Sequence, residues 1–142
     1  FLDLFCGTGS VSIEALSRQA KYARMLDLHP LAIKTILSNL ETTKLSSKAK
    51  VIKTNSLTYL KNSADMSFDY IYVAPPQYKL IWKETLLILD DNQNWLHENG
   101  WIIVQIHPKE FLDLNLLNLT MFDRRVYGST LLAFYQRKEE NS

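Results

Sequence analysis

Asp3, Gly7, Thr8, Gly9 and Asp27 are residue types at spacings that suit a nucleoside-like ligand. Gly7-Thr8-Gly9 follows the apolar run Phe1-Leu2-Asp3-Leu4-Phe5 and Cys6. A glycine turn there lets the backbone approach a ligand closely, and free N–H groups at the start of a following helix face it. A dinucleotide fingerprint would place a third glycine where this chain has Ser12. Asp3, four residues before Gly7, would repel a pyrophosphate, whereas it suits a cationic or zwitterionic ligand. Asp27 falls eighteen residues after Gly9, where an acidic strand end accepts hydrogen bonds from ribose hydroxyls.

A second group lies further along. Ala74-Pro75-Pro76-Gln77-Tyr78 closes an apolar run. Neither proline has an N–H, so the pair stops a strand ladder and holds the backbone extended. Rigid carbonyls beside an aromatic suit a flat base with an exocyclic amine: the ring stacks and the carbonyls accept its N–H hydrogens. His107 precedes Pro108 at another strand end and reads as a loop residue. Cys6 is the single cysteine; it excludes an internal disulfide framework, fits a reducing compartment, and reads as a small residue in a tight place rather than a nucleophile.

Alternating elements are needed to position these groups. A strand over 1–5 leads to a helix capped by Ser10 or Ser12, with Val11, Ile13, Ala15 and Leu16 packing back. A second strand spans 22–27. Pro30 opens a helix over 31–43 with the stripe Leu31, Ile36, Leu37 and Leu40. A polar connection over 44–50 leads to a strand at 51–54 closing on Asn55-Ser56, then a short helix over 57–60. The run Phe68–Val73 is a strand covered on both faces. A helix over 82–89, a short helical stretch over 95–99 ended by Gly100, and a strand over 101–106 follow. Residues 120–127 and 129–137 alternate as two antiparallel strands turning near Gly128. The fold class is α/β: a mostly parallel twisted sheet with helices on both faces and an antiparallel C-terminal hairpin.

Sixteen basic and fifteen acidic residues give a formal charge of +1, which neither demands nor excludes a polyanionic partner. No run of about eighteen apolar residues is present. At 142 residues the chain is read as one domain, 1–142, and a start in mid-strand without methionine reads as an N-terminal truncation.

The pattern D-x-F-x-G-x-G at Asp3–Gly9 resembles motif I of the Rossmann-like S-adenosylmethionine (SAM) dependent methyltransferases. With Asn55 and Pro75-Pro76 the chain looks like the amino-group methyltransferases that act on nucleic-acid bases. It most resembles the small-subunit (16S) ribosomal RNA guanine-N2 methyltransferases of the RsmD type. Asp3–Ser10, Ile13–Arg18, Asn55, Phe68-Asp69 through Pro75-Pro76, and Tyr127–Thr130 carry the likeness.

The resemblance implies SAM as cofactor, held by Asp3, Phe5, Cys6, Gly7, Thr8, Gly9, Asp27, Leu28, Asn55 and Ser56, with Asp3 serving the amino-acid end, partly through water, and Asn55 meeting the adenine. It implies a catalytic end at Ala74, Pro75, Pro76, Gln77 and Tyr78, no metal, and ribosomal RNA or the small subunit as partner of a monomer. The compartment implied is bacterial cytoplasm or an organelle of bacterial descent such as the plastid stroma. The family's N-terminal arm would precede Phe1. The implied reaction is an in-line displacement at a sulfonium methyl, in which positioning and desolvation carry the rate.

One departure stands out. The family has Asp or Asn before Pro-Pro, and an aromatic directly after it; here Ala74 stands before and Gln77 intervenes before Tyr78. Three readings follow: an active RNA methyltransferase, a SAM-binding RNA-binding module weakened in catalysis, and a methyltransferase for a small molecule or protein, which Pro-Pro-Tyr disfavours. Lys79, Lys83, Lys109, Arg124 and Arg125 stand near the open edge, where they are able to contact phosphates.

Overall fold

A computed structural model describes residues 1–77 and 79–139. Its strands are β1 (Leu2–Asp3), β2 (Ala23–Asp27), β3 (Ala49–Lys53), β4 (Phe68–Val73), β5 (Leu96–Ile106), β6 (Leu119–Tyr127) and β7 (Thr130–Arg137). The helices are α1 (Ser10–Ser17), α2 (Pro30–Thr42), α3 (Ser56–Leu60) and α4 (Ile81–Asp91). One sheet holds the strands in the order β3-β2-β1-β4-β5-β7-β6. The first five pair in parallel, and β7 runs antiparallel between β5 and β6.

Alternate residues of a strand feed opposite faces. In β2, Met25 joins Leu16, Ile36 and Leu40 under α1 and α2, whereas Leu26 joins the larger cluster on the other side. That larger cluster seats Trp82, Leu86 and Leu89 of α4 against Ile71, Val73, Ile102 and Val104. Helices therefore cover both faces. Strand order reverses between β1 and β4, so the carboxyl ends of these two strands open a crevice where open α/β sheets bind ligands.

Several local expectations are corrected. Neither Ser10 nor Ser12 caps α1: Gly9 stands at the N-cap with φ 79°, and no side chain completes the cap. Ser12 is already one turn inside the helix and buried, where its hydroxyl has found another partner. In α2 the buried residues are Ile36 and Leu40, while Leu31 and Leu37 are 74% and 52% exposed, because the helix lays only one narrow side on the sheet. Part of the 44–50 connection is a 3-10 turn, Ser46–Lys48, and β3 begins at Ala49.

Gly100 ends no helix. A 3-10 turn covers Gln93–Trp95, and β5 starts at Leu96 and runs through Gly100. The register passes from Phe68 opposite Leu96 to Tyr70 opposite Trp101, a bulge that crowds the extra residues of β5 against β4. A Cβ at Gly100 would lie 2.7 Å from Leu96 Cδ1 and 2.9 Å from the Asp69 carbonyl, so only glycine fits.

Candidate active site

The end of β1 is fixed from both sides. Leu4 N–H donates to the Tyr72 carbonyl at 3.2 Å, and Cys6 N–H to the Leu26 carbonyl at 3.0 Å. The chain then turns sharply, with Gly9 N–H donating to the Cys6 carbonyl at 2.8 Å. Gly7 has φ +57°, and a Cβ built on it would meet nothing within 4 Å; its backbone therefore faces open space in a conformation that L side chains rarely adopt.

Asp27, at the end of β2, braces this turn. Its Oδ2 accepts the Gly7 N–H at 2.9 Å and its Oδ1 accepts the His29 N–H at 3.0 Å. Asn55 caps α3 by accepting the Thr58 N–H at 3.1 Å. Ser56 is buried, with its hydroxyl donating to the Leu4 carbonyl and tying the start of α3 to β1.

A cavity of about 390 Å³ joins these groups. Phe5, Gly7, Asp27, Leu28, Asn55 and Ser56 line it together with Ala74, Pro75 and Pro76, so both groups of sequence-derived residues reach one space. Leu4, His29, Thr54, Leu57 and Ile81 also line it and were missed. Adjacency to Phe5, Leu28, Asn55 and Ser56 was the available signal for four of them; Ile81 gave none, because the direction in which α4 enters is a tertiary fact. A larger hollow of about 700 Å³, lined by Phe1, Tyr22, Phe68 and Tyr70 among others, lies at the amino ends of β2 and β4, away from the glycine turn.

The remaining expected residues sit elsewhere. Asp3 is 1% exposed and lies beneath the turn instead of on the cavity wall. Its Oδ2 accepts the Ser12 hydroxyl at 2.8 Å, and its Oδ1 is buried without a hydrogen-bond partner among the described residues. Burial pushes the Asp3 carboxyl up to about 6, against the lowering effect of the Ser12 hydrogen bond. Cys6 is buried, its thiol donates to the Asp3 carbonyl at 3.3 Å, and burial pushes the thiol pKa up, which makes it a poor nucleophile. Thr8 is exposed and its carbonyl accepts from Asn39 Nδ2 at 3.0 Å. Gly9 packs against Met25 and Ile36. Gln77 is exposed and off the cavity wall. Tyr78 lies outside the described residues. His107 caps the turn Pro108–Glu110, its Nδ1 accepting the Lys109 N–H at 3.1 Å.

The arrangement offers a carboxylate at a strand end, an approachable backbone at Gly7, an apolar wall from Leu28 and Leu57, and a rigid carbonyl-bearing edge at Ala74–Pro76. Among the described residues no group of three or more His, Cys, Asp and Glu side chains is placed to hold a metal ion.

The family model described as Conserved hypothetical protein 95 matches residues 1–136. The chain is 34% identical over 137 residues to the ribosomal RNA small subunit methyltransferase D of Haemophilus influenzae, covering 95% of this chain and 70% of that protein. It is 28% identical over 139 residues to the protein of the same name in Escherichia coli, covering 98% of this chain and 69% of that one. A solved structure from Haemophilus influenzae, described as a methylase, superposes with a TM-score of 0.85 at 34% identity and covers 97% of this chain and 86% of its own.

Proposed function

This chain belongs to the Conserved hypothetical protein 95 family, and from that premise we propose that it is a SAM-dependent methyltransferase acting on the exocyclic N2 amine of a guanine in small-subunit ribosomal RNA. The observation that carries this reading is that one cavity runs from the Gly7 turn and Asp27 to Pro75-Pro76. The substrate class comes from the likeness to proteins named ribosomal RNA small subunit methyltransferase D.

The residues fit such a cofactor. Its amino-acid end is zwitterionic, and Asp3 Oδ1, buried beneath the turn without a hydrogen-bond partner among the described residues, is the acceptor in this reading that meets the ammonium group through water. Gly7 leaves the backbone open to close approach. Each Asp27 oxygen takes one amide and keeps lone-pair capacity for ribose hydroxyls. Leu28 and Leu57 offer apolar wall to a purine, beside Asn55. When bound, SAM supplies an electrophilic methyl group. The chain's own part is orientation: the carbonyls of Ala74 and Pro75 accept the N–H hydrogens of the target amine and turn its lone pair toward the cavity, and the apolar wall excludes competing water.

A second reading rests on one residue. Ala74 places no side-chain acceptor at the end of β4, so recognition without efficient transfer, in a SAM-binding RNA-binding module, is the alternative. Among the described residues no helix is long and apolar enough to cross a membrane; the proposed workplace is that of the small subunit, in bacterial cytoplasm or an organelle of bacterial descent.

Isothermal titration with SAM and S-adenosylhomocysteine, followed by transfer of labelled methyl to undermodified small-subunit RNA, tests the proposal. Binding together with label in the guanine N2 position is expected. Binding without transfer favours the second reading, and no binding of either ligand overturns both.

A further inference from the structure

The proposed reaction leaves unexplained how the chain holds the nucleotides around its target base. Val73 pairs with Val104, Ile106 with Leu131, and Tyr127 with Thr130, so the β6–β7 hairpin tip stands on the same sheet edge as the carboxyl ends of β4 and β5. Arg124 leads into that tip. Its guanidinium carbon lies 4.7 Å from the centroid of the Phe111 ring, and Phe111 in turn stacks on Trp82 at 6.2 Å and 10°. Trp82 is fully buried in α4, one residue after Ile81 on the cavity wall. A chain of packed rings thus connects Arg124 to the helix that borders the site.

This anchorage fixes a cation without neutralising it. No carboxylate forms an ion pair with Arg124, Lys83 or Lys109 among the described residues, whereas the nearby Asp123 is taken up by Arg125 at 3.0 Å. Lys83 belongs to the first turn of α4, and Lys109 to the 3-10 turn that follows β5. At the tip, Val126 and Tyr127 are 56% and 59% exposed. Cations without an ion-pair partner among the described residues stand along this edge, and the exposed Tyr127 ring stands at the hairpin tip on the opposite strand face from Arg124, hydrogen-bonded to the Arg125 side chain. Charge for phosphates and a ring face for an unpaired base match the chemistry of single-stranded RNA.

We propose that Lys83, Lys109, Arg124 and Tyr127 form a single-stranded RNA docking edge for the nucleotides flanking the target base. Arg124 and the two lysines pair with phosphates, and Tyr127 stacks on an unpaired base. The inference rests on the RNA-methyltransferase reading and adds to it a gripping surface outside the cavity.

The test is fluorescence anisotropy of a short labelled single-stranded RNA, titrated at several salt concentrations with wild type, Lys109→Gln, Arg124→Gln, Arg124→Lys and Tyr127→Ala. Lys48→Gln, at the amino end of β3, serves as the control. Each lost phosphate contact is expected to reduce the slope of log affinity against log salt by about 0.7, and loss of the stacking ring to weaken binding roughly tenfold. Arg124→Lys should keep the slope while binding more weakly, which separates a charge effect from damaged packing against Phe111. SAM titration of the same variants should match wild type. RNA binding by all variants with wild-type slope and affinity overturns the docking edge alone, leaving the transfer reaction in place. Binding that depends on these residues in a protein that transfers no methyl overturns the methyltransferase reading and keeps the edge.

Discussion

Asp27 Oδ2 accepts the backbone N–H of Gly7 at 2.9 Å, so the carboxylate at the end of β2 holds the glycine turn after β1. The same carboxylate takes the His29 N–H on its other oxygen, which fixes the start of α2. One side chain therefore organises two walls of the cavity and still presents acceptor capacity to a ligand.

Asp27→Ala removes both braces and the proposed ribose acceptor. Hydrogen bonds to a charged group contribute roughly 1.5–3 kcal/mol each, so SAM affinity should fall by at least about tenfold to a hundredfold. Asp27→Asn retains an acceptor for one amide and should lose less. Titration calorimetry of the three proteins checks the order; equal affinities would show that the acidic strand end is not part of the cofactor site.

Asp3 makes a prediction of the opposite kind, in which stability rises when a site group is removed. Burial raises its carboxyl to about 6 in the folded chain from an ordinary 3.8. A carboxyl with a raised folded pKa binds its proton more tightly in the native state than in the unfolded chain. Its contribution is therefore favourable below about pH 4 and is lost as pH rises through 6, at an ionisation cost of about 3 kcal/mol at neutral pH. Asp3→Asn keeps an acceptor for the Ser12 hydroxyl and cannot ionise. Urea denaturation should find it more stable than wild type at pH 8, by about 3 kcal/mol, and nearly level with it below about pH 4. SAM affinity should fall in the same variant, because the buried negative charge is gone. A stability difference that does not vary with pH would refute the ionisation argument.

How much of this was legible in the sequence varies with how local the cause is. Phe68–Val73 was read to the residue, because its apolar run is bounded by Ser67 and by prolines that cannot continue a ladder. The hairpin turning at Gly128 was read nearly as well from its alternation, since register and turn chemistry are both short-range. Leu31 and Leu37 fit a helical stripe, yet only the sheet decides which side of α2 is buried, and it chose Ile36 and Leu40. Ser12 resembled a cap because serine often is one; its true partner, the Asp3 carboxylate, lies nine residues back across the turn. Pro75 and Pro76 line the cavity while the adjacent Gln77 is exposed and off its wall, a difference that residue types do not encode.

Gly100 tests the largest of these misreadings. If it ended a helix in the left-handed conformation, alanine would cost roughly 1–2 kcal/mol and clash with no neighbouring strand. In the bulge of β5, an added Cβ meets Leu96 at 2.7 Å and the Asp69 and Phe68 carbonyls at 2.9 and 3.0 Å. The side chain can turn away but the backbone of β4 cannot, so Gly100→Ala should destabilise the fold by about 3 kcal/mol, the upper end of overpacking costs. The midpoint of chemical unfolding would fall, with SAM affinity of the folded fraction preserved. An unchanged midpoint would place the bulge elsewhere.

Ala74→Asp probes the residue that separates the two readings of function. Ala74 lines the cavity between the last residue of β4 and Pro75, where an Asp oxygen would face the target amine. A charged acceptor there adds a hydrogen bond that strengthens as the amine nitrogen becomes positive in the transition state, an effect of roughly 1.5–3 kcal/mol. Methyl transfer to undermodified small-subunit RNA should rise about tenfold to a hundredfold in kcat, with SAM affinity unaltered because Asp27 and the Gly7 turn are untouched. If the rate rises from near zero, the wild-type chain is a recognition module that has lost its acceptor. If it stays level from an already measurable rate, the backbone carbonyls of Ala74 and Pro75 suffice, and the chain is a working methyltransferase that needs no side chain at this place.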